Sequence, residues 1–191
     1  MTPEELLEEI MLLDEAQRER LFEMIRERPL LRRQLEERLT TPVETVEQTE
    51  IVPAVEGAAD YRIIWDGGSK GNPGQGYGSY QLTALRSGKS RVEKLEFPGK
   101  MTNNEAEYET LISALNTLGT KIREHDRDPT NYSLDLRGDS LLVINQVMGK
   151  WKAKDERMAA YRDRVRELLE QFGSYTLMHH DRSESVAALG H

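Results

Sequence analysis

The sequence predicts an α/β protein, a mixed five-stranded sheet with flanking helices, preceded by a small N-terminal helical hairpin. Three observations lead to this prediction. After residue 60, short β-type runs alternate with segments of helical periodicity. The first three runs follow one another through short links, as in an antiparallel meander, whereas helices separate the later ones. Before residue 40, the apolar side chains recur at helical spacing.

The chain begins with an acidic helical region over residues 1–39. Thr2 and Pro3 have the order of an N-cap and a first helical residue, and Asp14 begins a second helix that Pro29 should end. A short third helix is expected over residues 31–39. Residues 40–59 are rich in Pro, Thr, Val and Glu without a sustained period, which is typical of a linker, and residues 60–191 form the second predicted domain.

The net charge of −8 is confined to the first 59 residues, which hold 15 acidic and 7 basic side chains. Residues 60–191 are neutral overall, and their bases cluster at Lys150, Lys152, Lys154 and Arg157 around Trp151. Phosphate is bound by Lys and Arg, so a nucleic-acid contact is expected in the second domain and not in the first.

Composition excludes several other classes of protein. The chain has no cysteine, so disulfides, thiolate zinc sites and cysteine nucleophiles are ruled out. No apolar run approaches the roughly 18 residues of a spanning helix, and the N-terminus is acidic where a secretory signal would be basic. An intracellular, cytoplasmic protein without a membrane contact is therefore expected.

The elements of the second domain follow from periodicity and from β-forming residues. Strands are predicted at residues 61–66, 76–85, 91–97, 132–136 and 175–179. Helices are predicted at residues 104–121, 140–148, 156–172 and from residue 184 onward. The last two strands should join the sheet in parallel, since helices connect them.

Three carboxylates stand out in this layout. Asp66 closes the first strand, although the glycine-rich residues after it also fit a turn. Glu107 lies four residues before Leu111, on the apolar stripe of its own helix, where an unpaired charge would cost several kcal/mol. Asp139 follows the fourth strand, a place that helix N-capping explains equally well.

These three side chains could converge at the open edge of the sheet, where α/β proteins usually bind ligands. Carboxylates brought together need a cation, and hard divalent ions such as Mg²⁺ or Mn²⁺ prefer oxygen ligands. A pair of such ions about 4 Å apart suits hydrolysis of a phosphodiester. The sequence thus favours metal-dependent cutting of a nucleic-acid backbone.

Several linked motifs over residues 60–191 resemble the type I ribonuclease H family. They are Asp66-Gly67-Gly68-Ser69, Gly71-Asn72-Pro73-Gly74, Thr102-Asn103-Asn104-Glu105-Ala106-Glu107-Tyr108, Gly138-Asp139-Ser140, Gln146 and Gly149-Lys150-Trp151-Lys152. The resemblance implies a ribonuclease H-like sheet, two Mg²⁺ ions and endonucleolytic hydrolysis of the RNA strand of RNA/DNA hybrids.

The same resemblance implies roles for single residues. Asp66, Glu107 and Asp139 would bind metal, and Asn72, Asn103 and Gln146 would contact the minor groove of the hybrid, where ribose hydroxyls distinguish RNA. The resemblance also implies substrate contacts for further residues. Among them, Thr102 would lie near a DNA phosphate, and the basic residues around Trp151 would bind the DNA strand. These further residues are Gly67, Ser69, Thr102, Asn104, Lys150, Trp151 and Lys152.

The C-terminus departs from the family pattern of an arginine, an asparagine three residues later and an Ala-Asp pair. Here no aspartate follows Arg182. Our hypothesis is that His191 is the fourth catalytic and metal-binding residue, with Glu184 as its rival and a frayed chain end as the alternative. A neutral imidazole in place of an anion would weaken the second ion and favour Mn²⁺.

Other interpretations stay open. The chain could be a catalytically weak or inactive hybrid-binding protein of the same fold, or an exonuclease or integrase of the same superfamily, although such an exonuclease would have Asp-x-Glu on its first strand. His179 and His180 are adjacent on a strand, so they face opposite ways and do not favour a zinc pair. An alternative role for His180 is to assist near the scissile phosphate. The N-terminal helices are expected to mediate self-association or to bind a protein partner.

Overall fold

The computed structural model describes residues 15–26 and 59–190, with single residues at 10 and 13. The chain divides into two compact units between Ile51 and Val52. In the first, helix α1 runs from Glu15 to Arg26, as predicted for the second N-terminal helix. Nearly all of the first predicted helix, the whole third helix over 31–39 and the linker up to residue 58 lie outside the described residues.

The second unit contains a five-stranded sheet in the order β3-β2-β1-β4-β5. Neighbouring strands β1, β2 and β3 are antiparallel, and β4 and β5 join in parallel. This confirms the predicted mixed sheet with its meander and its two crossovers. The strands are β1 (Tyr61–Gly71), β2 (Gly74–Ala84), β3 (Lys89–Met101), β4 (Ser133–Gly138) and β5 (Ser174–His179).

Four helices of this unit connect or flank the strands, and a short 3₁₀ turn, Pro129–Asn131, precedes β4. All four differ in their bounds from the sequence prediction. The first begins one residue early and ends two residues late, and the second begins one residue late and ends one residue early. The third ends three residues early, and the last begins two residues early. The four helices are α2 (Asn103–Arg123), α3 (Leu141–Val147), α4 (Glu156–Leu169) and α5 (Arg182–Leu189).

The first strand is longer than predicted. Instead of closing at Asp66, β1 continues to Gly71, because its residues from Asp66 onward pair with β2 from Ser79 back to Gly74. The turn is confined to Asn72 and Pro73. Pairing with a neighbouring strand thus overrides the turn-like composition of this stretch, as tertiary context often does.

The core lies between the sheet and α2. Ile63 and Trp65 of β1 are fully buried, and so is Leu111 of α2, on the stripe that the periodicity predicted. Burial of one such aliphatic side chain stabilises the fold by about 1.5–3 kcal/mol. The packing therefore fixes α2 directly across β1, which determines where Glu107 lies.

Candidate functional site

Two of the carboxylates are brought together by the parallel pairing of β1 and β4. The pairing ends where Trp65 faces Gly138, so Asp66 and Asp139 are the next residues of the two segments. The carboxyl ends of adjacent parallel strands form the edge at which α/β sheets bind ligands. The site thus lies at the carboxyl ends of β1 and β4, where their pairing stops.

Glu107 reaches this edge from the second turn of α2. The helix lies so close to β1 that a Cβ on Gly67 would stand 2.5 Å from the carbonyl oxygen of Ala106 and from the backbone nitrogen of Glu107. Only a glycine permits this approach. Glu107 is 7% exposed and Asp66 is 8% exposed, so the sheet edge presents buried carboxylates.

One oxygen from each of Asp66, Glu107 and Asp139 lies within 4.8 Å of the others. Burial raises the pKa of Glu107 well above its usual value, and the negative charges of Asp139 and Asp66 raise it further. The backbone N–H of Gly67 acts against this shift. The Trp65 indole N–H acts in the same direction as Gly67, although it falls short of hydrogen-bonding geometry. Without a cation, the cluster is therefore electrostatically unfavourable in its ionised form.

The cluster also contains buried oxygens that lack a hydrogen-bond partner. They are Oε2 of Glu107 and Oδ1 of Asp139. A buried acceptor without a partner costs free energy, and a hard divalent cation would satisfy both atoms and neutralise the cluster. The donor set, all carboxylate oxygen, fits Mg²⁺ or Mn²⁺.

Asp139 does not cap the following helix. The N-cap of α3 is Ser140, whose hydroxyl accepts the backbone N–H of Val143 at 3.4 Å. The capping explanation for Asp139 is therefore wrong, because the neighbouring serine performs that role.

The fourth ligand is not found among the residues that the structure describes. The carboxylate of Glu184 lies outside the cluster, with Oε2 at 3.8 Å from Nδ1 of His180 and a side chain that is 57% exposed. His191 itself lies outside the described residues, so its role stays a prediction.

His180 is buried at the end of β5, with 6% of its surface exposed, whereas His179 is exposed. Its Nε2 lies 2.7 Å from the hydroxyl of Ser185, and its backbone N–H donates to the carbonyl of Gly138 at 3.0 Å. Burial lowers the pKa of His180, so the ring is neutral at neutral pH. His180 thus ties the start of α5 to the end of β4.

Polar residues at the end of β1 and in the β1–β2 turn are bonded to the start of α2. The backbone N–H of Ser69 donates to Oδ1 of Asn103 at 2.9 Å. The backbone N–H of Asn103 donates to Oδ1 of Asn72 at 3.2 Å. These three predicted substrate-binding residues therefore form one connected, partly exposed surface.

Thr102 is the N-cap of α2, and Asn104 is partly exposed in the first turn. Thr102 and Glu105 form a capping box, in which the hydroxyl accepts the N–H of Glu105 at 3.2 Å and the carboxylate accepts the N–H of Thr102 at 2.7 Å. The cap determines the direction in which this end of α2 meets the β1–β2 turn.

Gln146 lies in the core and not on this surface. It is 2% exposed, and its Oε1 accepts the hydroxyl of Tyr108 at 2.8 Å. The structure gives Gln146 a contact between α3 and α2, and its implied contact with a substrate stays a prediction.

The basic segment, residues 150–154, follows α3. Lys150, Lys152 and Lys154 are exposed, and Trp151 is half-buried among them. The backbone N–H groups of Lys150 and Trp151 both donate to the carbonyl of Asn145, at 2.9 and 3.1 Å. The segment thus combines exposed cations with an aromatic ring, an arrangement typical of proteins that bind nucleic-acid strands.

Sequence reasoning missed two contributors to the site. Trp65 is fully buried beside Glu107, and its position directly before Asp66 was the available signal. The second contributor is the ion pair between Arg157 and Glu105, at 3.1 Å, which joins α4 to α2. No local pattern predicts that pair, since 51 residues separate its members.

Comparisons with known proteins agree with this fold. A family profile described as Reverse transcriptase-like matches residues 90–189. Ribonuclease HI of Halobacterium salinarum is 34% identical over 142 residues, which cover 73% of this chain and 67% of that protein. A bifunctional protein of Mycobacterium tuberculosis is 36% identical over 108 residues, and the match covers 56% of this chain and 27% of that protein.

Solved structures are similar as well. RNase H1 from Halobacterium salinarum has a TM-score of 0.57 at 32% identity, over 67% of this chain and 90% of that chain. LC11-RNase H1 in complex with an RNA/DNA hybrid has a TM-score of 0.59 at 25% identity, over 67% of this chain and 90% of that chain.

The sheet order and the carboxylate edge define a protein of the ribonuclease H-like class. The chain belongs to the ribonuclease HI family, and the family and enzyme class predicted from the sequence are thereby confirmed. Among the described residues, no helix is long and apolar enough to cross a membrane.

Proposed function

We propose that this chain is a metal-dependent endonuclease that hydrolyses the RNA strand of RNA/DNA hybrids. The observation that supports this most directly is the cluster of Asp66, Glu107 and Asp139, in which a buried oxygen of Glu107 and one of Asp139 lack a hydrogen-bond partner and suit divalent cations. Membership of the ribonuclease HI family supplies the reaction class. A similar structure that holds an RNA/DNA hybrid supports the substrate.

The residues of the proposed site form two groups, one that binds metal and one that binds substrate. Asp66, Glu107 and Asp139 would hold two Mg²⁺ ions or, in their place, Mn²⁺. When bound, such ions activate water and stabilise the charge on the leaving oxygen. The buried setting of Glu107 excludes bulk water from one side of the site, which strengthens electrostatic interactions there.

The surface beside the cluster recognises the hybrid. Asn72 and Asn103, with the predicted help of Gln146, contact the minor groove, where the 2′-hydroxyls mark the RNA strand. Further substrate contacts lie next to this minor-groove contact and are made by Gly67, Ser69, Thr102 and Asn104. Lys150, Trp151 and Lys152 bind the DNA strand through phosphate contacts and stacking.

A second candidate function is a catalytically weak or inactive hybrid-binding protein. It is favoured by the number of carboxylates, because among the described residues the cluster has three and Glu184 lies away from it.

If His191 completes the site of an active enzyme, a neutral ligand stands where the family has an anion. The second ion then binds weakly, and activity in Mn²⁺ exceeds activity in Mg²⁺.

The test is a cleavage assay on a hybrid labelled on its RNA strand, in Mg²⁺ and separately in Mn²⁺. Wild type is expected to cut hybrid RNA and to leave single-stranded RNA and duplex DNA intact, and Asp66→Asn is expected to lose activity by a factor of 10² or more, on the order of the charge-stabilising groups of other enzymes. Asp163→Asn, which removes an exposed carboxylate on α4, is the matched control. Hybrid binding without cutting in either metal would favour the second candidate.

A further inference from the structure

The Glu105 carboxylate is shared between two helices. Its Oε2 accepts the backbone N–H and the hydroxyl of Thr102, at 2.7 and 3.0 Å, which caps α2. Its Oε1 lies 3.1 Å from Nη1 of Arg157, and the Glu105 side chain is only 9% exposed. The N–H and the hydroxyl of Thr102 donate to this nearly buried carboxylate and the guanidinium lies beside it, which offsets the cost of removing the charge from water.

Arg157 stands at the start of α4. Its backbone N–H donates to Oδ1 of Asp155, the N-cap, at 2.8 Å, and its Nε lies 3.5 Å from the same oxygen. The backbone N–H groups of Met158 and Arg157 lower the pKa of Asp155, which is therefore ionised at neutral pH. Arg157 thus joins the cap of α4 to the cap of α2.

This bridge connects two surfaces that are separate in the sequence. The basic segment, residues 150–154, ends immediately before Asp155 and is tied at its beginning to the carbonyl of Asn145. The start of α2 is bonded through Asn103 to Ser69 and Asn72. The Glu105–Arg157 pair therefore links the helix start that follows the basic segment to the start of α2, which carries the groove surface, formed by Ser69, Asn72 and Asn103.

We propose that Glu105 and Arg157 are positioning residues for the hybrid: they set the distance between the basic segment and the groove surface, so that both strands are gripped together. This inference rests on the proposed function. Preorganisation of this kind raises affinity by reducing the ordering that binding requires, and it has no effect on the reacting atoms. Loss of the pair should therefore raise KM and Kd and leave kcat nearly unchanged.

A direct phosphate contact by Arg157 is the competing explanation, since its side chain is 70% exposed. The two explanations differ at Glu105. A carboxylate cannot attract phosphate, so Glu105→Gln would leave affinity unchanged or improve it if Arg157 acted by direct contact. If the pair positions the segment, Glu105→Gln weakens binding. Glutamine retains the capping box with Thr102, so α2 should still fold.

Tryptophan fluorescence tests the positioning without substrate. The chain has two tryptophans, of which Trp65 is fully buried and Trp151 lies half-buried in the basic segment. Acrylamide quenching therefore reports mainly on Trp151. Quenching is expected to rise in full-length Glu105→Gln and Arg157→Ala. It should not change in Arg164→Ala, which breaks an exposed ion pair with Glu167 on the same helix.

Hybrid binding and cleavage then connect the bridge to the substrate. In EDTA, the Kd of a fluorescent hybrid is expected to rise roughly threefold to tenfold in Glu105→Gln and in Arg157→Ala, and no further in the double variant. In steady-state cleavage, KM should rise by a similar factor while kcat stays within about twofold.

Three results would overturn the inference. One is unchanged quenching in both variants. Another is weaker binding in Arg157→Ala with normal binding in Glu105→Gln, which would assign Arg157 to direct phosphate contact. The third is a fall in kcat without a change in KM. A wild type that neither binds nor cuts hybrid would overturn the proposed function, and with it the link from the bridge to substrate, while the quenching data would still report on the segment.

Discussion

Glu107 is the most buried carboxylate of the cluster, and its raised pKa has a consequence for stability. Because the fold favours its protonated form, its contribution to the free energy of unfolding is fully present below the unfolded pKa, near 4.5. That contribution is lost as pH rises through the higher folded pKa. In EDTA, the melting temperature of wild type should therefore fall relative to Glu107→Gln as pH rises above 4.5. Calorimetric melting curves for the two proteins that stay parallel across this pH range would contradict the assignment.

Metal binding at the same residues should reverse this loss of stability. A cation that binds only the folded state stabilises it by about 2.7 kcal/mol at one hundred times its Kd. At neutral pH, Mg²⁺ and Mn²⁺ should both raise the melting temperature of wild type. The rise should be much smaller in Asp66→Asn and undiminished in Asp163→Asn. Equal stabilisation of all three proteins would place the bound ion elsewhere.

At the scale of elements, the contact between β1 and α2 determines the geometry of the site. A methyl group on Gly67 would lie 2.5 Å from the backbone of Ala106, and backbone cannot move aside as a flexible side chain can. Gly67→Ala should therefore destabilise the fold by about 1–3 kcal/mol and displace Glu107 from Asp66, with a loss of cleavage. Urea denaturation and the hybrid assay measure the two effects.

Gly119 provides a matched control on the same helix. A Cβ there would meet Nη1 of Arg123 at 3.2 Å, the far end of a flexible side chain. Because alanine is the better helix former, Gly119→Ala should be neutral or stabilise the fold by up to about 1 kcal/mol, with normal cleavage. If both substitutions had the same effect, close packing at Gly67 would not be what positions α2.

The elements also show where sequence reasoning was sufficient. Helical spacing predicted that Glu107 shares the buried face of Leu111, and that face is buried. Composition predicted a turn directly after Asp66, but β2 pairs with those residues and extends the strand. Helical periodicity is a local property of the sequence, so it predicted the buried face of the helix. The end of a strand depends on the neighbouring strand that pairs with it, which local composition does not show.

At the scale of the whole molecule, the two units differ in charge. Residues 1–51 contain 14 acidic and 7 basic side chains, which makes a direct grip on phosphate unfavourable. All described residues of the proposed site belong to the second unit, Val52–His191. A protein of residues 52–191 should therefore retain hybrid cleavage within about threefold of the full chain, since it keeps every described site residue and net charge mainly affects association rates. A loss of hybrid binding on truncation would assign the first unit a role in substrate recognition.

The same truncation tests the prediction that the N-terminal helices mediate self-association or bind a protein partner. If they self-associate, light scattering should show a larger oligomer for the full chain than for residues 52–191. Equal oligomeric states would remove self-association and leave a different protein as the expected partner.

The order and type of the main elements, the mixed sheet, the family and the three carboxylates of the cluster could all be predicted from the amino-acid sequence. Each of these follows from short-range patterns: periodicity, β-forming runs and linked motifs. Three-dimensional packing was needed to show that Gln146 lies in the core and that Glu105 pairs with Arg157. Those facts depend on distances between residues far apart in the chain, which sheet order and helix packing set and which no local pattern encodes.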